Sequence, residues 1–213
     1  MNHYPILAYV SVFCPLLPIV TGFFMVGMRK QENIILILFL VSAFTIDSVT
    51  TMFIKDSLIN LGLMHVYVFM EFLFIMFIVS SWQESQKMKN IFRAIYVLFI
   101  LFWFCAKFTF EPFNGLYYAT ATVSQVVLAL AAGYTLFVVI GNRVQSLFNR
   151  QQFWVLLSIV VYYTGTLAII ALQGILIHYS REDVFLAASI NWSLKIIFNI
   201  LITVGFLCPQ TQP

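Results

Sequence analysis

Three charged side chains interrupt otherwise apolar runs of this sequence: Asp47, Glu71 and Lys195. A charge at mid-bilayer costs about 2.5–3.5 kcal/mol on insertion scales, so such residues turn toward a bundle interior and pair there or serve a site. Glu71 stands about ten residues into its run and Lys195 about eleven, so at ~1.5 Å per residue both lie ~15 Å deep, counted from the same side. Opposite charges at one depth are best buried together. The expectation is a Glu71–Lys195 ion pair across the bundle. Asp47, nearer the surface, would join it or hydrogen-bond to Ser48, Thr50 or Thr51.

Uncharged polar residues extend the pattern. Asn191, Lys195, Asn199 and Thr203 recur every four residues, which is one stripe of a helix. His65 falls near the mouth of the third apolar run, with Tyr67 one turn before Glu71. The fifth run carries Thr120, Thr122, Ser124 and Gln125, and the sixth Tyr162, Tyr163, Thr164 and Thr166. Together these could line a polar cavity facing outward. The plainer reading of the Ser and Thr residues is interhelical hydrogen bonding, worth ~0.6 kcal/mol each. For His65 it is a histidine wetted at the interface rather than a ligand or proton relay.

The elements that must hold these residues follow from composition. Of 213 residues, 62% are hydrophobic and 9% charged, with a mean hydropathy of +0.97. A soluble domain carries roughly 45–50% apolar and about 25% charged residues. The length suits about seven spans of ~20–25 residues with short loops, which leaves no room for a soluble catalytic or nucleic-acid-binding domain. The spans read as 6–28, 34–54, 61–82, 91–110, 116–140, 153–178 and 184–207. The first reads as a retained span, since no basic segment precedes it and no small-residue cleavage site follows. Each must be helical, because hydrocarbon offers the backbone no other partners. The fold class is therefore all-α, a single seven-helix transmembrane bundle.

Orientation follows from Lys and Arg. Arg29, Lys30, Lys87, Lys89, Arg93, Arg143 and Arg150 fall on one side, against Lys55, Lys107 and Arg181 on the other. The positive side is cytoplasmic. That puts the N-terminus outside and the C-terminus inside, in a bacterial inner membrane. Pro15 and Pro18 should kink the first helix. Trp82, Trp103, Trp154, Tyr117, Tyr118 and Tyr179 read as interfacial belts.

Enzyme and metal signatures are missing. There is no HExxH, Walker loop or GxSxG. Cys14, Cys105 and Cys208 show no metal spacing and read as packing residues. His3, His65 and His178 lie toward one side but do not argue for zinc. The expectation is a non-enzyme with no metal and no required cofactor.

His65-Val66-Tyr67 with Glu71-Phe72, Gln152-Phe153-Trp154 followed by Tyr162-Tyr163-Thr164-Gly165, and Asn199-Ile200-Leu201 with Gly205-Phe206-Leu207-Cys208 resemble a loose family of uncharacterised seven-helix membrane proteins of Bacteroidota. The resemblance covers most of the chain from the second span on. Lys195 has no counterpart in that pattern. It implies a membrane sensor region without a known reaction. Glu71 and Lys195 also resemble the counter-ion and Schiff-base lysine of microbial rhodopsins, which would imply retinal. Against this, Val68 stands where those proteins carry an Arg.

The leading expectation is a sensor or receptor that binds a small ligand in the outward cavity and signals to a cytoplasmic or membrane partner. The alternatives are a small-solute or proton-coupled transporter, a retinal protein with its Schiff base at Lys195, and a scaffold subunit of a membrane complex. The lipid bilayer is a partner in every case, and nucleic acid in none.

Overall fold

The computed structural model describes residues 5–26, 31–52, 57–115, 117–142, 144–176 and 181–208. Arg29, Lys30, Lys55, Arg143, His3, His178 and Tyr179 lie outside them, and the side chain of Arg181 is likewise not described.

The first helix, α1, is built in pieces. Ile6–Phe13 and Leu16–Thr21 are α-helical and Gly22–Val26 is a wider π turn. The expected distortion is a break at Cys14–Pro15, because Pro15 brings no N–H to the ladder. Six long helices follow: α2 (Gln31–Met52), α3 (Ser57–Ser81), α4 (Gln86–Thr109), α5 (Tyr118–Asn142), α6 (Gln151–Leu176) and α7 (Arg181–Leu207). A 3₁₀ turn, Val144–Asn149, joins α5 to α6. Helix α4 starts before its apolar run, because Ser85 is extended and the polar residues Gln86 to Asn90 contain no helix breaker.

Seven helices are long and apolar enough to cross a membrane, and there is no strand among the described residues. The chain is an all-helical membrane bundle. Its outer surface carries Leu98, Leu101, Phe108, Leu130 and Phe137, all exposed. Such a surface suits hydrocarbon, where apolar side chains lose nothing by facing out.

The helices close a ring. Helix α1 packs on α2 and α7, α2 on α3, α3 on α5, α5 on α6 and α6 on α7, while α4 sits outside against α3 and α5. The face where α1 begins is called here the N-terminal face, and the face where α7 ends the C-terminal face. The half nearer the C-terminal face is apolar and dense. Leu36, Phe72, Ile75, Met76, Leu128, Leu156, Ile159 and Ile202 are all fully or almost fully buried there. Polar staples bind its rim. Gln83 Nε2 donates to Thr135 Oγ1 (2.6 Å) and to the Val79 carbonyl (3.0 Å). Gln151 Nε2 donates to Asn33 Oδ1 (2.7 Å).

A polar cavity and a closed ion cluster

The other half of the ring holds a cavity of about 280 Å³. Six of the seven helices line it, and α4 does not. Its walls run from Thr51 and Tyr118, at helix ends on the N-terminal face, down to Glu71 and Lys195. Asp47, Tyr67, Gln125, Tyr162 and Asn191 stand between. A narrow extension of about 10 Å³ continues past Glu71 and Lys195 to Asn199, Phe198 and Pro15. Eight of the nine expected site residues therefore line one connected space.

The ion pair inside it differs from the expected one. Lys195 Nζ bonds Asp47 Oδ2, joining α7 to α2. Glu71 is instead held by its own helix: Tyr67 Oη donates to Glu71 Oε1 at 3.0 Å. Glu71 and Lys195 line the same walls, but the carboxylate that reaches Lys195 comes from α2, across the ring, rather than from α3. Thr50 and Thr51 do not bond the Asp47 carboxylate. Their hydroxyls donate back to its main-chain carbonyl at 3.1 and 2.7 Å.

The α7 stripe is partly spent on its own backbone. Asn199 Nδ2 donates to the Lys195 carbonyl (2.8 Å), and Thr203 Oγ1 to the Asn199 carbonyl (2.8 Å). Asn199 Oδ1 remains buried without a partner, as do Gln125 Oε1 and Ser124 Oγ. Thr166 lines the cavity while Thr164 is exposed on the opposite side of α6. Tyr162 packs against Phe198, with ring centroids 5.0 Å apart.

His65 is the exception. It is fully buried and belongs to a second cluster at the ends of α3, α4 and α5. This corrects both its place at the cavity mouth and its reading as a wetted side chain. His65 Nε2 lies 3.1 Å from the Gly115 carbonyl, which can only accept, so that nitrogen carries the proton. Nδ1 then accepts from Lys107 Nζ at 2.6 Å. Lys107 also donates to Glu111 Oε2 (2.8 Å) and Thr120 Oγ1 (3.4 Å). All three ammonium hydrogens are thus used. Thr120 Oγ1 donates in turn to Glu111 Oε2 (2.5 Å).

Glu111 does a further job. Its Oε1 accepts from the backbone N–H groups of Ala119 (2.8 Å) and Thr120 (3.2 Å), in the first turn of α5. A helix start has free N–H groups and partial positive charge, so a carboxylate is welcome there. Burial pushes the Glu111 carboxyl up, but the bonds from Lys107 and Thr120 outweigh it and hold the group below its ordinary 4.5. Aromatic rings wall the cluster. Phe113 and Tyr117 meet the His65 ring edge-on, and Lys107 Nζ lies 5.4 Å from the Trp103 ring centre. Trp103 is consequently buried core rather than interfacial belt.

Sequence reasoning placed Lys107 and Glu111 at a span end and missed the cluster. The usable signal was their spacing of four across the end of α4, close enough for Glu111 to reach back to Lys107. The last cysteine, Cys208, stands just past the end of α7. Burial raises its thiol, and Sγ donates to the Val204 carbonyl at 3.3 Å.

Among the described residues no three His, Cys, Asp or Glu side chains gather as metal ligands would. The arrangement is a polar cavity with one salt bridge across it and, beside it, a hydrogen-bonded cluster of Lys107, Glu111, Thr120 and His65. No family model matches the sequence, no curated protein matches it, and no solved structure matches its fold.

Proposed function

We propose that this protein is a membrane receptor or sensor that binds a small ligand in the α1–α2–α3–α5–α6–α7 cavity. One observation carries this reading: the cavity occupies the N-terminal-face half of the bundle and stands on an apolar floor. Phe72, Ile75, Leu128, Ile159 and Ile202 fill the rest of the cross-section. A carrier needs polar access from both faces, whereas a one-sided pocket over a packed floor suits binding. At about 280 Å³ the space matches the low end of small-molecule sites.

The Asp47–Lys195 bridge supplies the coupling. It joins α2 to α7 at the wall, so an occupant that competes for either group changes how those helices meet. The N-terminal face is outward in this reading. The basic residues favour it, with seven Lys and Arg on the C-terminal face against three on the other. The short C-terminal-face connections would require a separate partner to carry the signal.

Spin labels at Ser85 and Asn149, both exposed on the C-terminal face, test the coupling. Asp47→Asn, which frees Lys195, is expected to change the distance distribution between them in pulsed electron resonance. An unchanged distribution in a folded variant would sink the sensor reading.

A further inference from the structure

The chemistry of the cavity wall selects among ligands. Its described lining holds two carboxyl groups, Asp47 and Glu71, and one cation, Lys195, with no other Lys, Arg or His. Lys195 is already engaged by Asp47. Lys107, the nearest other buried cation, has all three hydrogens committed in the adjoining cluster. Glu71, by contrast, is 5% exposed and receives a hydrogen bond from Tyr67, with the buried Tyr163 hydroxyl, otherwise unpartnered, as the second phenol beside it. A carboxylate has about four acceptor positions, so about two stay open even with both phenols turned to it.

An unpartnered atom points the same way. Gln125 Oε1 on the wall is a buried acceptor lacking a donor, whereas Asn199 Oδ1 borders only the adjoining space of about 10 Å³, the size of one water. A buried acceptor without a donor is costly, and an occupant with N–H groups removes that cost. Tyr67, Tyr117, Tyr162 and Trp192 add aromatic rings to the same wall. Ring faces attract cations.

We propose that the cavity binds a small organic cation, a protonated amine or guanidinium, with its charge at Glu71 and an N–H group toward Gln125. This rests on the cavity being a ligand site and names the class of ligand. An anion would meet Glu71 with no free positive group to offset it. A zwitterionic amino acid would have to take Lys195 from Asp47.

The test is a thermal-shift and titration series on the purified full-length protein in detergent. The probes are methylammonium, guanidinium, tetramethylammonium and phenethylammonium, with 2-phenylethanol, phenylacetate and phenylalanine as matched neutral, anionic and zwitterionic compounds. At least one N–H-bearing cation is expected to raise the melting temperature, while the neutral and anionic matches do not. Glu71→Gln should weaken its binding at least tenfold, and Gln125→Leu severalfold. Thr164→Val, on the exposed side of α6, should leave it unchanged. If Glu71→Gln fails to fold, the Gln125→Leu result decides. Tighter binding of phenylacetate, 2-phenylethanol or phenylalanine than of phenethylammonium would overturn the cation assignment and leave the cavity a binding site. Tetramethylammonium binding alone would overturn the role of Gln125. No shift with any probe would overturn the ligand-site reading as well.

Discussion

Glu111 serves two elements at once. It neutralises Lys107 on the helix before it and caps the helix after it. Glu111→Gln leaves Lys107 buried without a counter-charge, and removing one member of a buried pair costs about 3–5 kcal/mol. Its acid behaviour has a definite sign. The folded group titrates below its ordinary 4.5, so its stabilisation is complete above that value and lost as pH falls through the folded value. Melting followed from about pH 7 down to about pH 3 should show a Glu111-dependent fall below pH 4.5. In Glu111→Gln that component should vanish from a lower baseline. An equal acid-side loss in both proteins would mean that other carboxyls govern it. Lys195 teaches the converse lesson at this scale. Depth along a helix is one coordinate of three, and it placed Lys195 correctly relative to Glu71 without revealing that Asp47 lies closer.

At the scale of elements, α7 is seated by glycines. A Cβ on Gly205 would stand 3.3 Å from the Gln151 carbonyl and from the Trp154 and Val155 side chains. One on Gly165 would come within 2.6 Å of the Leu194 side chain, whose methyls can move. One on Gly22 would meet Ile37 and Phe206 at 3.1 Å. Small residues let helices in lipid approach closely, where packing replaces the hydrophobic effect as the source of association. Gly205→Val is therefore expected to destabilise by about 1–3 kcal/mol through overpacking against backbone. Gly165→Ala should cost less, because Leu194 can yield. Urea or SDS unfolding of the two variants would rank them, and the reverse order would contradict the account. The helices themselves were legible in the sequence, because long apolar runs broken by charge announce spans. Their partners were not. Periodicity tells which face of a helix is polar but not which helix meets it. Lys107 and Glu111 do stand at an edge, with α4 ending at Thr109, but hydropathy does not tell that the turn after Glu111 folds back to bury both against His65 and Thr120.

At the scale of the molecule, the bundle divides into a packed half and a half-filled one. Asp47 and Lys195 tie α2 to α7 across the cavity. Each is about a fifth exposed on its side chain, at 19% and 17%, so the pair is partly screened and worth less than a fully dry one. Lys195→Met and Asp47→Asn are each expected to lower the melting temperature, and the double variant to fall by less than their sum. A coupling of about 0.5–3 kcal/mol is the range for groups in contact. Strict additivity would mean that the bridge contributes nothing. The polar walls of the cavity could be read from the sequence because eight of the nine proposed residues had to face inward. The apolar floor could not, since Phe72 or Ile159 reads alike whether it meets lipid or another helix.

The Lys107–Glu111–Thr120 cluster also bears on how the chain enters a membrane. Both charges in it lie within five residues, at the end of α4 and in the turn after it, so they can neutralise each other before α5 adds the Thr120 hydroxyl. Lys107 and Glu111 then partition as a single dipole rather than as two ions. His65, on the helix made earlier, needs only to accept a hydrogen bond when the pair arrives. The order of synthesis therefore matches the order in which the polar groups can be satisfied.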